Sequence, residues 1–283
     1  MKREVEASSE FRAEVLLESS IATIRDVHCR GSCKGLSAEE CAARTELVFP
    51  YRGAFVRHVG RDKAVAEANQ VLFFNAGDAY RVSHPVAGGD ASLSIAIGES
   101  ELRELAGRGL LHGRAQVAFR KQRMRVDARV QSLAALLRHR MRRNFAGTLE
   151  AESVVLALVR RAVGLRTQLD ASGGMGRQRF ADRAKLALTS DLSRRWTLRD
   201  VASEVGCSPV YLTQIFQQVE GLPLYRYHLR LRLARALDLL AEYEDLTELS
   251  LELGFSSHSH FSAAFRAVYG STPSDFRRSA SRR

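Results

Sequence analysis

Cys29, Cys33 and Cys41 lie in one short stretch, RDVHCRGSCKGLSAEEC, and His28 precedes the first of them. A borderline-soft ion such as Zn²⁺ takes four thiolate or imidazole ligands, and His28, Cys29, Cys33 and Cys41 supply that number. A second chemistry is open to the same residues: Arg30 and Lys34 would lower a thiol pKa and favour oxidation. The spacing matches no common zinc motif, and three scattered cysteines are the plain alternative. His58 and His84 stand alone in the sequence. No G-x-S-x-G, Walker A or H-E-x-x-H pattern occurs, so nothing in the chain reads as an enzyme. Zinc at the N-terminal cluster is thus the one cofactor the residues bring forward.

These residues sit in a chain of 283 residues, enough for two domains, with 45% hydrophobic content, which is ordinary for a folded protein. There is no apolar run of about 18 residues to span a membrane. The N-terminus is acidic and lacks the apolar core of a secretion signal, so the expected compartment is the cytoplasm, where cysteines stay reduced. The net charge of +11 points to a polyanionic partner. Its distribution is uneven: residues 1–100 carry −2, residues 101–179 carry +11 and residues 180–283 carry +2.

Residues 45–97 read as short strands, broken by Gly53, Gly60, Asn75-Ala-Gly77 and Pro85 through Gly89, which predicts a β-sandwich or small barrel. From about Glu99 the pattern turns helical. Val130, Leu133, Ala134, Leu137 and Met141 make one stripe, and Leu149, Val154, Val155, Leu158 and Val159 a second. Two such helices after a β domain are a candidate dimerisation element; the alternative is that they cover their own sheet. The basic segment 120–143 reads as a solvated face or a contact to flanking DNA. QLDASGGMGRQ, polar and glycine-rich, marks a linker over 168–179.

After the linker the chain repeats itself. TLRDVASEVGCSPVYLTQIFQQVEGLP and DLTELSLELGFSSHSHFSAAFRAVYGSTP share their apolar spacing. Gly206 matches Gly254 and Ser208 matches Ser256; after one extra residue, Leu212, Phe216 and Gly221 match Phe261, Phe265 and Gly270. Each copy has the parts of a helix-turn-helix. Thr197 and Asp200 form a capping box. Gly206 and Gly254 supply the sharp turn, Ser208 caps the second helix, Pro209 opens it, and Gly221 and Gly270 end the helices. Cys207 packs in the first turn, opposite Phe255 of the second copy. The segment LYRYHLRLRLARALDLLAEY joins the copies as a helix of roughly 27 Å, suited to holding two recognition helices about one DNA turn, roughly 34 Å, apart.

GFSSHSHFSAAFRAVYGSTPSDFRR and LTQIFQQVEGLPLYRYHLRLRLARALDLL resemble the C-terminal signature and first unit of AraC/XylS transcription regulators. The resemblance covers residues 180–278 and implies a seven-helix, two-unit DNA-binding domain. By position it gives base-reading roles to Val210, Thr213 and Gln214 in the first unit and to Ser257, His258, Ser259 and Ala263 in the second. Ser208, Ser256, Arg266 and Arg277 are candidates for phosphate contact. Such regulators often carry Arg or Gln at base-reading positions; Val210 and Ala263 can only touch thymine methyls, which leaves Gln214 as the best reader.

More weakly, the whole chain resembles the full-length architecture of that family. It implies an α+β protein: a cupin-like sensory β-barrel over 1–98, a helical dimerisation segment over 99–167, the linker 168–179, and the all-α double helix-turn-helix over 180–283. The expected partners are double-stranded promoter DNA, a small-molecule effector, a second copy in a homodimer, RNA polymerase for an activator, and no membrane. The metal set of a metal-dependent cupin is not seen. Cys-x3-Cys also resembles the zinc-held domain of Ada-type repair proteins, but their second Cys-x2-Cys pair is missing here. The competing expectation keeps DNA binding and replaces the organic effector with a metal or oxidant at the cysteine cluster.

Overall fold

Val71 and Phe73 join one buried apolar cluster while Leu72 and Phe74 join another, as the two-residue alternation of a strand buried on both faces requires. The computed structural model of the protein describes residues 4–5, 11–31, 35–107, 109–113, 116–164 and 174–281. The chain forms two compact units, one of residues 1–168 with 274–283 and one of residues 169–273.

The first unit is built on antiparallel strands: β1 (Glu4–Val5), β2 (Phe11–Glu18), β3 (Ala22–Cys29), β4 (Glu40–Cys41), β5 (Glu46–Arg52), β6 (Phe55–Val59), β7 (Asp62–Ala66), β8 (Gln70–Phe74), β9 (Ala79–Ser83) and β10 (Asp90–Ile97). After the helix α1 (Glu99–Leu105) come β11 (Leu111–His112), β12 (Ala118–Phe119) and β13 (Arg123–Arg125). One sheet of seven strands runs β1-β2-β3-β10-β5-β8-β13, and a four-stranded sheet runs β4-β9-β6-β7. Val48, Phe55, Ala64, Leu72 and Phe74 form the apolar cluster shared by strands of both sheets. The other face of the large sheet, with Leu47, Phe49, Phe73, Leu93 and Ile95, is covered by α2 (Ala128–Arg142) and α3 (Thr148–Val163).

Two expectations are corrected here, and one of the two readings of the helical stripes is seen. The β region is these two open sheets with a separate β11-β12 pair, not a closed barrel, because among the described residues no ladder joins the seven-stranded sheet to the four-stranded one. The strand region also begins earlier than residue 45, with β2 and β3, and ends later, with β13 at the edge of the large sheet. The apolar stripes of α2 and α3 cover their own sheet: Val130, Leu137, Met141, Val155, Leu158 and Val159 all lie in its core.

The basic middle segment has internal work. Arg138 is buried with its guanidinium over the Tyr51 ring, 3.9 Å from the centroid. Arg140 pairs with Glu150 at 3.0 Å, and Arg142 approaches the buried Asp26 at 3.7 Å. Burial alone would raise the Asp26 carboxyl, but the hydrogen bond with His28 and the Arg138 charge hold it below the usual carboxylate value.

The second unit contains α4 (Met175–Ser190), α5 (Leu198–Val205), α6 (Pro209–Glu220), α7 (Leu224–Leu239), α8 (Leu246–Glu252) and α9 (His258–Tyr269). A seventh helix, α10 (Pro273–Ser281), falls almost wholly within the first unit, where Phe276 meets the His139 ring edge-on and Arg143 donates to Ser281 Oγ at 2.8 Å. The helix α4 starts inside the stretch read as a linker. It carries Lys185, fully buried, whose Nζ lies 2.5 Å from the buried Glu220 of α6.

Candidate DNA interface

The first unit of the repeat is assembled from local signals. Thr197 Oγ1 accepts the Asp200 N–H at 3.1 Å, and Asp200 Oδ2 accepts the Thr197 N–H at 2.9 Å, closing the capping box of α5. The Thr197 hydroxyl, which donates to Asp200 Oδ2 at 2.7 Å, and the Thr197 N–H hold the Asp200 carboxyl below its ordinary value. At Gly206 the backbone turns left-handed, φ 76°, and the Cys207 N–H reaches back to the Ala202 carbonyl at 3.0 Å. Ser208 Oγ then accepts the Tyr211 N–H at 3.3 Å and starts α6, with Pro209 in its first turn. Leu212, Ile215, Phe216 and Val219 are buried. The opposite face shows Val210, 69% exposed, with Thr213 and Gln214 also exposed.

The second unit repeats this with one change. Asp245 Oδ1 accepts the Thr247 N–H at 2.7 Å and caps α8. Gly254 is again left-handed, φ 76°, and the Phe255 N–H reaches the Ser250 carbonyl at 2.9 Å, the same bond that Cys207 makes. The cap of α9, however, is Ser257, whose Oγ accepts the His260 N–H at 3.2 Å. Ser257 is therefore the counterpart of Ser208, and the extra residue lies between turn and cap. Ser256 Oγ instead sits 3.1 Å from His260 Nδ1.

This shift changes the reading of the second helix. His258 takes the place of Pro209 at the helix start, and Ser259, Ser262, Ala263 and Arg266 take the places of Val210, Thr213, Gln214 and Gln217. Ser259, Ala263 and Arg266 are exposed, and Ser262 is half-buried beside His258 Nε2 at 3.2 Å. Gln217 and Ser262 were missed in the sequence, although Gln217 follows Val210 by two helical turns on the same exposed face. Thr213 donates its hydroxyl to the Pro209 carbonyl at 3.0 Å, which leaves its methyl for apolar contact. Of the phosphate candidates, Ser208 and Ser256 stand at the starts of the two helices, Arg266 projects from α9, and Arg277 is half-buried on α10.

Between the units α7 runs 16 residues, about 24 Å at 1.5 Å each. One of its side chains joins both units. Arg232 donates to the carbonyls of Leu192 at 2.5 Å, Arg194 at 2.8 Å and Ser193 at 3.2 Å before the first unit, and of Gly254 at 3.2 Å in the turn of the second. Burial lowers its pKa from the usual arginine value.

The other sequence-named residues fall apart. His28 faces Tyr51 at 3.3 Å and Arg52 at 3.2 Å; Cys41 is exposed on β4. Cys33 lies outside the described residues. Cys207 is half-buried in its turn, and burial raises its thiol pKa.

Residues 201–279 match the family described as helix-turn-helix domain. The chain is 34% identical over 88 residues to the HTH-type transcriptional regulator YidL of Escherichia coli, a match covering 31% of this chain and 30% of that one. It is 33% identical over 91 residues to the regulatory protein PocR of Salmonella typhimurium, covering 32% and 30%. The chain thus spans about a third of the length of the curated relatives it matches. A solved transcriptional regulator from Chromobacterium violaceum, described as of AraC-type DNA-binding domain, is 30% identical with a TM-score of 0.36, covering 38% of this chain and 97% of that one.

Proposed function

We propose that the C-terminal module, whose residues 201–279 match a helix-turn-helix domain, is of AraC type, and that the protein is a transcription regulator that binds promoter DNA through both units and answers to an effector at its N-terminal unit. The observation that carries the reading is the repeated geometry. Two helices, α6 and α9, each follow a left-handed glycine and a serine cap, and each leaves one face exposed. A helix presented in this way enters a major groove and reads base edges from its outward residues. On this reading Val210, Thr213, Gln214 and Gln217 face one groove segment, and Ser259, Ala263 and Arg266 the next. Ser208 and Ser257 stand at helix N-termini, where backbone N–H groups favour phosphate.

Control by an effector is supported by Arg57. This side chain is buried inside the N-terminal unit, 4.2 Å from the Phe74 ring centroid and 5.6 Å from that of Tyr80. Nη1 donates to the Phe73 carbonyl at 2.5 Å, while Nε and Nη2 find no hydrogen-bond acceptor among the described residues. A buried cation with unfilled donors between aromatic walls suits an acidic small molecule. Dimerisation and a contact with RNA polymerase belong to the same reading, and sedimentation of the free and DNA-bound chain tests the first.

The test of DNA binding is selection of full-length protein on a random duplex pool, followed by anisotropy titration of the enriched duplex over a salt series. Enrichment of one site is expected, with log affinity falling linearly in log salt by about 0.9 per phosphate neutralised. No enriched sequence, with equal affinity for every duplex, would overturn site-specific regulation.

A further inference from the structure

β3 and β10 are antiparallel neighbours, and their register sets Cys29 opposite Asp90. The turn that leads into β10 passes through Gly89, φ +72°, where a Cβ would lie 2.3 Å from the Cys29 carbonyl oxygen. Gly31, φ +62°, closes the other side: a Cβ there would come within 3.0 Å of Gly89 Cα and 3.5 Å of His84 Cβ. No side chain fits at either position. The two segments pack backbone to backbone and bring His84, the residue after β9, against the Cys29–Asp90 pair.

The result is a convergence of three different donors. Cys29 Sγ, a nitrogen of His84 and a carboxylate oxygen of Asp90 all lie within 4.8 Å of one another. His84 and Asp90 are buried and Cys29 is half-buried, so the group is shielded but open on the thiol side. Asp90 Oδ2 is inaccessible to solvent and accepts no hydrogen bond among the described residues, although His84 Nε2 stands 3.1 Å away. A buried carboxylate oxygen without a donor is costly, and a bound cation removes that cost. Tetrahedral ligands at about 2.0–2.3 Å from a metal are roughly 3.3–3.8 Å apart, a spacing this cluster brackets.

We propose that Cys29, His84 and Asp90 form a three-ligand site for a borderline-soft divalent cation of the zinc type. The thiolate excludes calcium and magnesium, which take oxygen ligands, and the imidazole suits zinc. Among the described residues three side chains converge as ligands, and a tetrahedral ion takes a fourth. The site differs from the one the sequence spacing pointed to. Alternation along β3 puts His28 on the face of Asp26, away from Cys29, and Cys41 lies on the other sheet. Binding links the end of β3 to the 84–90 turn, two segments far apart in sequence, so the metal stabilises the N-terminal unit by mass action.

The experiment uses the reduced, chelator-treated full-length chain, titrated with zinc against a chromophoric competitor and, separately, with Co²⁺. One zinc per chain is expected, together with a near-ultraviolet thiolate-to-cobalt band. Cys29→Ser should abolish the band and weaken zinc binding by more than the roughly 10–100-fold that loss of an outer-shell partner costs. His84→Ala and Asp90→Asn should weaken zinc binding as strongly, and Cys41→Ser should leave band and affinity unchanged. Circular dichroism of the metal-free variants checks that each is folded. Alkylation of the unaltered chain gives an independent readout, since zinc should slow modification of Cys29 and not of Cys41. Zinc that binds Cys29→Ser as well as the parent, protects no thiol, or is lost in Cys41→Ser instead overturns the site.

Discussion

Gly254 lies so close to Ser193 that a Cβ built on it would stand 2.3 Å from the Ser193 carbonyl oxygen. Its counterpart Gly206 has the same left-handed backbone, yet a Cβ there meets nothing nearer than the Arg183 guanidinium at 3.9 Å. Both glycines answer the same turn, but only Gly254 also answers a close backbone approach. Alanine at Gly206 should therefore cost about 1 kcal/mol, the left-handed penalty less the entropy it removes from the unfolded chain. Alanine at Gly254 must in addition displace backbone that Arg232 holds, and should cost more than about 3 kcal/mol. Trp196, the one tryptophan, reports unfolding of this unit in urea. Equal losses in the two variants would show that the Ser193 contact relaxes freely.

The position of the second cap is also testable. Ser257 receives the His260 N–H and Ser256 does not. Ser257→Ala should destabilise the C-terminal unit by about 0.5–2 kcal/mol, as loss of an N-cap does, with Ser256→Ala close to neutral. The reverse order would return the cap to Ser256.

His228 gives this unit an acid limit. Burial, reinforced by the Arg232 charge, pushes its imidazole down to about 4 from 6.5. Above pH 6.5 it is neutral whether the chain is folded or not, and the unit has its full stability. As pH falls from 6.5 to 4 the unfolded chain takes up a proton that the folded one refuses, so stability declines. A shift of this size corresponds to about 3 kcal/mol, lost across that window. Urea midpoints followed by Trp196 between pH 7 and 4 should fall accordingly, and His228→Gln should flatten the profile. An equally steep profile in that variant would place the acid sensitivity in another group.

The helix-turn-helix units were legible because their signals are local. Thr197 with Asp200, the left-handed glycines and the Leu212–Phe216 spacing all act within one or two turns of chain. The pairing of Ser208 with Ser256 rather than Ser257 arose because two serines adjoin and only the reach to a helix N–H tells them apart. The N-terminal unit was less legible because its contacts are remote. That β10 lies between β3 and β5, and so brings Asp90 to Cys29, follows from strand order, which alternation along a strand does not encode. Arg138 and Arg142 read as surface charge for the same reason: Tyr51 and Asp26 come from strands nearly ninety residues earlier and more. Nothing in LYRYHLRLRLARALDLLAEY marks Arg232, since carbonyl acceptors leave no trace in a sequence.

On the proposed reading, α6 and α9 differ in what they can distinguish. Gln214 and Ala263 occupy equivalent exposed positions, but an amide can bond both the N6 and N7 of adenine while a methyl group can only touch thymine. The first unit should therefore carry the sharper sequence preference and the second more of the backbone grip, through Arg266. Gln214→Ala should reduce discrimination between the selected site and a variant of its first half by about 1–3 kcal/mol, leaving binding to random DNA nearly unchanged. Arg266→Ala should instead weaken all duplexes alike and lower the salt slope by about 1, the mark of one lost phosphate contact. Ala263→Gln tests the asymmetry directly: with an amide restored to the second face, selection should enrich a defined base in the second half-site where the parent tolerates several. If the parent already selects both halves equally sharply, reading in the second unit comes from Ser259, Ser262 or His258, and the division of labour between the helices is wrong.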